Sequence, residues 1–124
     1  MHAIGIDIVE IARLKKAIAQ RGEAFLKRIY TESELKSYRG KLPSLAARFA
    51  AKEAVIKALG KPTAGIKLKD IEIVADDKGK PLVNLYGEAQ NQAKALGLDK
   101  IAVSLSHSKE YAIAVASGQA IPLP

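Results

Sequence analysis

Residues 44–59 read Ser-Leu-Ala-Ala-Arg-Phe-Ala-Ala-Lys-Glu-Ala-Val-Ile-Lys-Ala-Leu, and Gly60 follows. No other stretch limits the fold so strongly. Alanine and leucine favour the helix, and glycine at the position after the last turn ends it, so the segment predicts a helix of about four turns. At 100° per residue Leu45, Phe49, Ile56 and Leu59 share a stripe about 80° wide, while Ala47, Ala51, Ala54 and Ala58 cover the opposite side. That leaves no polar face. A helix small or apolar nearly all round is packed on several sides, so its four charges, Arg48, Lys52, Glu53 and Lys57, each need a reason to be there. Ala46, Ala50, Glu53 and Lys57 form a further stripe, in which two alanines leave space beside a carboxylate and an ammonium. It is expected to be a floor on which a ligand lies.

Shorter elements surround this helix. Ala3-Ile-Gly-Ile-Asp-Ile-Val9 alternates Ile4, Ile6 and Ile8 with Gly5, Asp7 and Val9, a strand period. From Ile11 the apolar spacing lengthens to Ile11, Leu14 and Ile18, which is helical, and Gly22 breaks it before a second short turn or helix over 24–30. Thr31-Glu-Ser-Glu34 has the T-x-x-E spacing of a capping box and opens a helix to about Tyr38. Residues 40–43 and 61–69 read as connections. Residues 70–75 and 82–86 form a hairpin around Asp76-Asp-Lys-Gly-Lys80, and 88–96 are an amphipathic helix ended by Gly97. Two further strands alternate through Ile101, Val103 and Leu105 and through Tyr111, Ile113 and Val115, joined at His107-Ser-Lys-Glu110. The order predicts one α+β domain over residues 1–124, with a mainly antiparallel sheet packed against the long helix.

Composition narrows the chemistry. With 124 residues there is room for one core of radius of gyration about 14 Å and none for a separate cofactor domain. The absence of cysteine removes disulfides and thiolate metal sites, so a metal would be held by oxygen or by the two histidines. Apolar runs are short and the N-terminus has no signal-peptide pattern, which sets a soluble cytoplasmic protein as the expectation. The net charge of +7 is uneven: residues 1–60 carry 12 Lys/Arg against 6 Asp/Glu. Arg13, Lys15, Lys16, Arg21, Lys27 and Arg28 are opposed only by Glu23, a patch that is either solvated surface or a landing place for an anionic partner.

Several side chains invite a chemical reading. Asp7 lies in an otherwise apolar or glycine strand, where an unpaired buried carboxylate is prohibitive; it faces water, pairs with a base or coordinates a cation. Gly5 on the same face leaves space that a ligand could use. Glu53 and Lys57, four apart, suit an ordinary helix ion pair worth ~0.2–0.5 kcal/mol. The alanine surroundings argue instead for Asp7 and Glu53 as two oxygen ligands for Mg²⁺, which keeps several waters and takes one or two carboxylates plus substrate phosphates. Lys57, one turn away, would then hold a phosphate oxygen. His107, beside Ser104, Ser106 and Lys109, is a structural residue or part of a phosphate-binding corner. No Walker loop, dinucleotide fingerprint, His-rich metal motif or Gly-x-Ser-x-Gly elbow is present.

Three blocks together carry a resemblance: Gly5-Ile-Asp-Ile-Val-Glu-Ile11; Arg48-Phe-Ala-Ala-Lys-Glu-Ala54 with Lys57-Ala-Leu-Gly60; and Ser104-Leu-Ser-His107 before Tyr111-Ala-Ile-Ala114. In order and spacing they are similar to the signature blocks of the holo-acyl-carrier-protein synthase family, small 4′-phosphopantetheinyl transferases. The resemblance implies that fold, and transfer of the phosphopantetheine arm of coenzyme A to a serine of apo acyl carrier protein. It further implies Mg²⁺, with Mn²⁺ as a substitute, and adenosine 3′,5′-bisphosphate as the leaving product. Asp7 and Glu53 are then assigned to the cation, Lys57 to the phosphates, and Arg48, Gly60, His107 and the Gly79-Lys-Pro81 turn to the coenzyme site. Arg13, with Lys16, Arg21 or Arg28, is expected to dock the acidic carrier. Family members are typically trimers with sites at subunit junctions, so a homotrimer is expected, with no membrane and no nucleic acid among the partners. Two rivals remain: a basic nucleic-acid-binding module, weakened by the scarcity of aromatic stacking residues, and a Mg²⁺-dependent phosphohydrolase using the same acids.

Overall fold

The computed structural model describes residues 2–60 and 65–120. Strand β1 (His2–Glu10) runs directly into helix α1 (Ile11–Ile29), which bends where Gly22 leaves helical geometry at φ 64° and ψ −146°. Gly22 therefore breaks the helix as its position implied, yet Leu26 and Ile29 beyond the bend return to the same core as Ile11 and Leu14. Helix α2 (Glu32–Tyr38) opens on the expected capping box: the Thr31 hydroxyl accepts from Glu34 N–H, and Thr31 N–H donates to the Glu34 carboxylate. Helix α3 (Leu42–Ala58) starts two residues earlier than the sequence suggests, because Pro43 in the first turn gives up an N–H that no helix would bond there. Gly60, at φ 93°, follows Leu59, which caps the C-terminus of the helix.

A short 3-10 turn (Leu68–Asp70) leads into strands β2 (Ile71–Ala75) and β3 (Pro81–Leu85), then helix α4 (Gly87–Ala95), β4 (Leu98–His107) and β5 (Tyr111–Ala120). The expected connection at 61–69 lies partly outside the described residues, and its last residues form the 3-10 turn. All strand pairing is antiparallel, but one continuous sheet does not form. The strands divide into a three-stranded sheet in the order β1-β5-β4 and a separate β2-β3 hairpin.

Helix α3 crosses the three-stranded sheet, and the small residues explain how closely. The face towards it carries Ala3 and Gly5 on β1, and Ala112, Ala114, Ala116 and Gly118 on β5. Opposite them Ala46, Ala50 and Ala54 are fully buried. Small residues on both sides let two backbones approach, and dispersion across a tight contact replaces the bulk that larger side chains would supply. At Gly5 the approach is closest: a Cβ there would stand 1.9 Å from the Ala54 carbonyl oxygen and 2.7 Å from Ala58 N. The expected ligand floor of Ala46 and Ala50 is thus covered by the protein's own sheet, and the space at Gly5 belongs to the α3 backbone. Only the Glu53–Lys57 end of that stripe opens outward.

The opposite face of the sheet is the larger-residue face, and it is bare. Ile4, Ile6 and Ile8 are 69%, 54% and 60% exposed, and Tyr111, Ile113 and Val115 lie beside them on β5. Ile6 pairs with Val115 and Ile8 with Ile113, so the patch is contiguous. A monomer seldom leaves such a surface in water.

Candidate active site

Asp7 sits two residues beyond Gly5 on the inner face of β1, so the glycine contact that brings β1 onto α3 also delivers Asp7 to the side of α3 that carries Glu53 and Lys57. Lys57 Nζ donates to Asp7 Oδ1 at 3.0 Å and to the Ile6 carbonyl at 3.0 Å. Asp7 therefore takes the paired alternative within the chain, and Lys57 bridges to β1; no Glu53–Lys57 ion pair forms among the described residues. The Asp7 side chain is 18% exposed and that of Lys57 55%.

Glu53 is half-buried, and burial, reinforced by the negative charge of Asp7, raises its pKa above the ordinary carboxylate value, while Lys57 pulls it part of the way back. Glu53 and a second carboxylate, Asp7, stand close together where a cation would offset their charge. The donor set is oxygen only, which suits a hard ion such as Mg²⁺ and not a thiolate-seeking metal. No cluster of three or more His, Asp or Glu exists among the described residues. A cation here would have two protein carboxylates and would draw the rest of its shell from water and substrate, the usual state of Mg²⁺ in phosphate chemistry.

Asp7 and Glu53 open onto a cavity of about 500 Å³ between β1, α1 and α3. Arg13 lines it too, and Leu14, Phe25 and Phe49 form an apolar wall. Within the basic segment only Arg13 reaches this cavity. Arg21 lies over the Phe25 ring at 5.8 Å, Lys16 is exposed on α1, and Arg28 lines a different recess with Lys67 and Leu68. Glu23, the one acid of the patch, holds Arg39 through two contacts and Lys27 at 3.9 Å, which leaves the remaining basic side chains unneutralised.

The other sequence-assigned residues are not gathered around Asp7 and Glu53 within one chain. Arg48 turns to α2: its guanidinium stacks 3.6 Å over the Tyr38 ring and donates to the Tyr38 hydroxyl and the Ser44 carbonyl. Gly60 follows α3; Gly79 lies in the β2-β3 turn, where Asp76 accepts from the N–H groups of Lys78 and Lys80, and Pro81 opens β3. His107 is exposed at the end of β4 opposite Ala112.

One pair escaped the sequence reading. Lys52 and Glu34 form a fully buried ion pair at 2.7 Å. Lys52 also donates to the carbonyls of Leu68 and Ile71, and Glu34 accepts from Thr31 N–H and Ile73 N–H at 2.8 Å. Burial lowers the Lys52 pKa, and the Glu34 charge opposes that. The signal was present in the capping box: its carboxylate lies in the same chain as a helix with an unexplained lysine and no polar face.

The comparisons with known proteins bear on this geometry. Residues 3–116 match the family model for the 4′-phosphopantetheinyl transferase superfamily. The chain belongs to that superfamily. A holo-[acyl-carrier-protein] synthase of Dehalococcoides mccartyi is 53% identical over 115 residues, 93% of this chain and 96% of that protein. One from Herpetosiphon aurantiacus is 42% identical over 125 residues, 95% of this chain and 98% of its own length. The solved holo-[acyl-carrier-protein] synthase of Helicobacter pylori in complex with coenzyme A has the same fold, with a TM-score of 0.84 at 35% identity over 94% of this chain and 99% of that one. The α+β architecture of this transferase is therefore that of the synthases. Among the described residues no helix is long and apolar enough to cross a membrane.

Proposed function

We propose that the chain, as one catalytic domain, is a holo-acyl-carrier-protein synthase that moves the 4′-phosphopantetheine arm of coenzyme A onto a serine of apo acyl carrier protein. The observation that carries this reading is the convergence of Asp7, Glu53 and Lys57 where β1 meets α3, in a chain 53% identical to a synthase. In the reaction the serine oxygen bonds to the phosphorus nearest pantetheine. The bond from that phosphorus to the bridging oxygen breaks, and adenosine 3′,5′-bisphosphate leaves with the electron pair. Asp7 and Glu53 are the residues that would hold Mg²⁺, or Mn²⁺ in its place. Bound there, the cation supplies Lewis-acid neutralisation of charge gathering on the leaving phosphate. Lys57 gives an ammonium to the phosphate oxygens. Glu53, whose basicity burial has raised, is assigned to orient the serine hydroxyl and take its proton.

Arg13 opens the route for the carrier, since it is the cationic side chain of α1 that shares the cavity with the two acids. Lys16, Arg21 and Arg28 extend the positive surface along the same helix, and an acidic carrier would be steered by it. Arg48, Gly60, His107, Gly79 and Pro81 are assigned to the coenzyme, with His107 and the β2-β3 turn acting on a neighbouring copy's Asp7 and Glu53. The bare apolar sheet face, 69% exposed at Ile4, supports an assembly of copies, and a homotrimer is the form proposed. Its place of action is the cytoplasm, where coenzyme A and the carrier are met.

The deciding experiment incubates apo carrier protein with the chain, coenzyme A and Mg²⁺ and reads the intact mass. A gain of about 340 Da, the mass of the arm, on a single serine is expected. Release of inorganic phosphate with an unchanged carrier mass would reject the transfer.

A further inference from the structure

Lys57 is placed to pair with Glu53, one turn back on its own helix, and instead reaches across to β1. Its two acceptors there are unlike. The Ile6 carbonyl is neutral, whereas the Asp7 carboxylate is 18% exposed and needs a cation beside it. Lys57 itself, 55% exposed, can leave for water cheaply. Asp7, fixed on a strand by Gly5 and the α3 backbone, cannot follow it.

Glu53 stands close enough to feel both, its ionised form disfavoured by Asp7 and favoured by Lys57. Two negative charges and one positive charge therefore share one corner. A divalent cation using both carboxylates meets an ammonium already bonded to one of its ligand oxygens. Two cations around the same acids repel, so each weakens the hold of the other, and by the same factor.

We infer that Lys57 is also an internal counter-ion: it occupies the Asp7 carboxylate beside Glu53 when no divalent ion is bound, competes with that ion for it, and is turned towards the coenzyme phosphates when the ion binds. The inference rests on the two-carboxylate reading above. It gives the corner an order of events. Asp7 and Glu53 with Lys57 carry a net charge of −1, and addition of a divalent ion makes it +1. An incoming diphosphate is attracted more strongly to the second state than to the first, so cation and coenzyme each strengthen the binding of the other.

The test measures Mn²⁺ binding to the full chain by electron paramagnetic resonance of the free ion, with neither coenzyme nor carrier present. Lys57→Met keeps the length of the side chain and removes its charge, and it is expected to bind Mn²⁺ about tenfold more tightly than wild type. Lys57→Arg keeps the charge and is expected to bind with the wild-type constant. A lysine that only braced the corner would give the opposite sign, weaker binding on its removal. Equal or weaker binding by Lys57→Met, with wild type still binding, overturns the competition and leaves the two-carboxylate site standing. Wild-type binding that survives Asp7→Ala and Glu53→Ala undiminished overturns both.

Discussion

Helix α3 carries two lysines five residues apart, and each is bonded to an acid from another element. Lys52 and Glu34 are wholly buried, and each has further backbone partners from the Leu68–Ile73 stretch. Lys57 and Asp7 meet at a cavity rim with 55% and 18% of their side chains exposed. The first pair has every neighbour it needs and nothing left to offer a ligand. The second is under-coordinated, next to a further carboxylate, and open to solvent on the lysine side. A lysine and an acid thus form a closed bolt in one place and a pair open to further partners in the other, and the difference lies in how many protein groups close the shell.

The comparison breaks first at Lys52. Lys52→Ala strands a buried Glu34 and is expected to cost ~3–5 kcal/mol in urea denaturation, against about 1 kcal/mol or less for Lys57→Ala at its exposed site. Similar losses for the two would erase the distinction. Glu53→Gln sharpens it from the functional side. Transfer should fall at least about a hundredfold in the intact-mass assay, because the cation loses a ligand and the serine its base. Stability should hold or rise, since a half-buried carboxylate facing Asp7 has been neutralised.

Gly5→Ala links the regions without touching a charge. Its methyl group would collide with the Ala54 carbonyl, and an overpacked contact of this kind costs ~1–3 kcal/mol. The same change should weaken Mn²⁺ binding, and an unaltered Mn²⁺ constant would show that the glycine contact does not set the Asp7 position. A smaller effect belongs to Arg13→Ala, expected to raise KM for the carrier about fivefold while KM for coenzyme A is unchanged. A parallel rise in both would remove its docking role.

The smallest effect is a pH slope. Glu72 is pushed up by burial, but hydrogen bonds from Thr31, Asn84 and Tyr86 more than offset this and leave its pKa below the ordinary carboxylate value. Its ionised form therefore adds stability that is complete above the ordinary carboxylate range and is lost as pH falls through the folded-state value. Glu53 has the opposite sign: its raised pKa makes the fold less stable as pH climbs past that range. Glu72→Gln should flatten the acid limb of a stability profile and Glu53→Gln should steepen it. Changes of the same sign would contradict the assignment.

The chain alone specified the long helix and its glycine stop, the capping box at Thr31 and Glu34 and the strand periods, and it marked Asp7, Glu53 and Lys57 as charges out of place in apolar surroundings. These are legible because helix and strand periods, caps and misplaced charges are local facts, written within a few residues of each other. Which face of an alternating strand turns inward is not local. The isoleucines of β1 look like core, yet Ala3 and Gly5 face the helix, because α3 presents alanines and the tightest joint between two backbones needs small residues on both. That joint covered the supposed alanine floor and gave Lys57 to Asp7 in place of Glu53, while α2 and the start of β2, packed elsewhere on α3, sealed Lys52 against Glu34. Each of these is a contact between elements far apart in the chain, and only the packing of α3 on its neighbours could decide them.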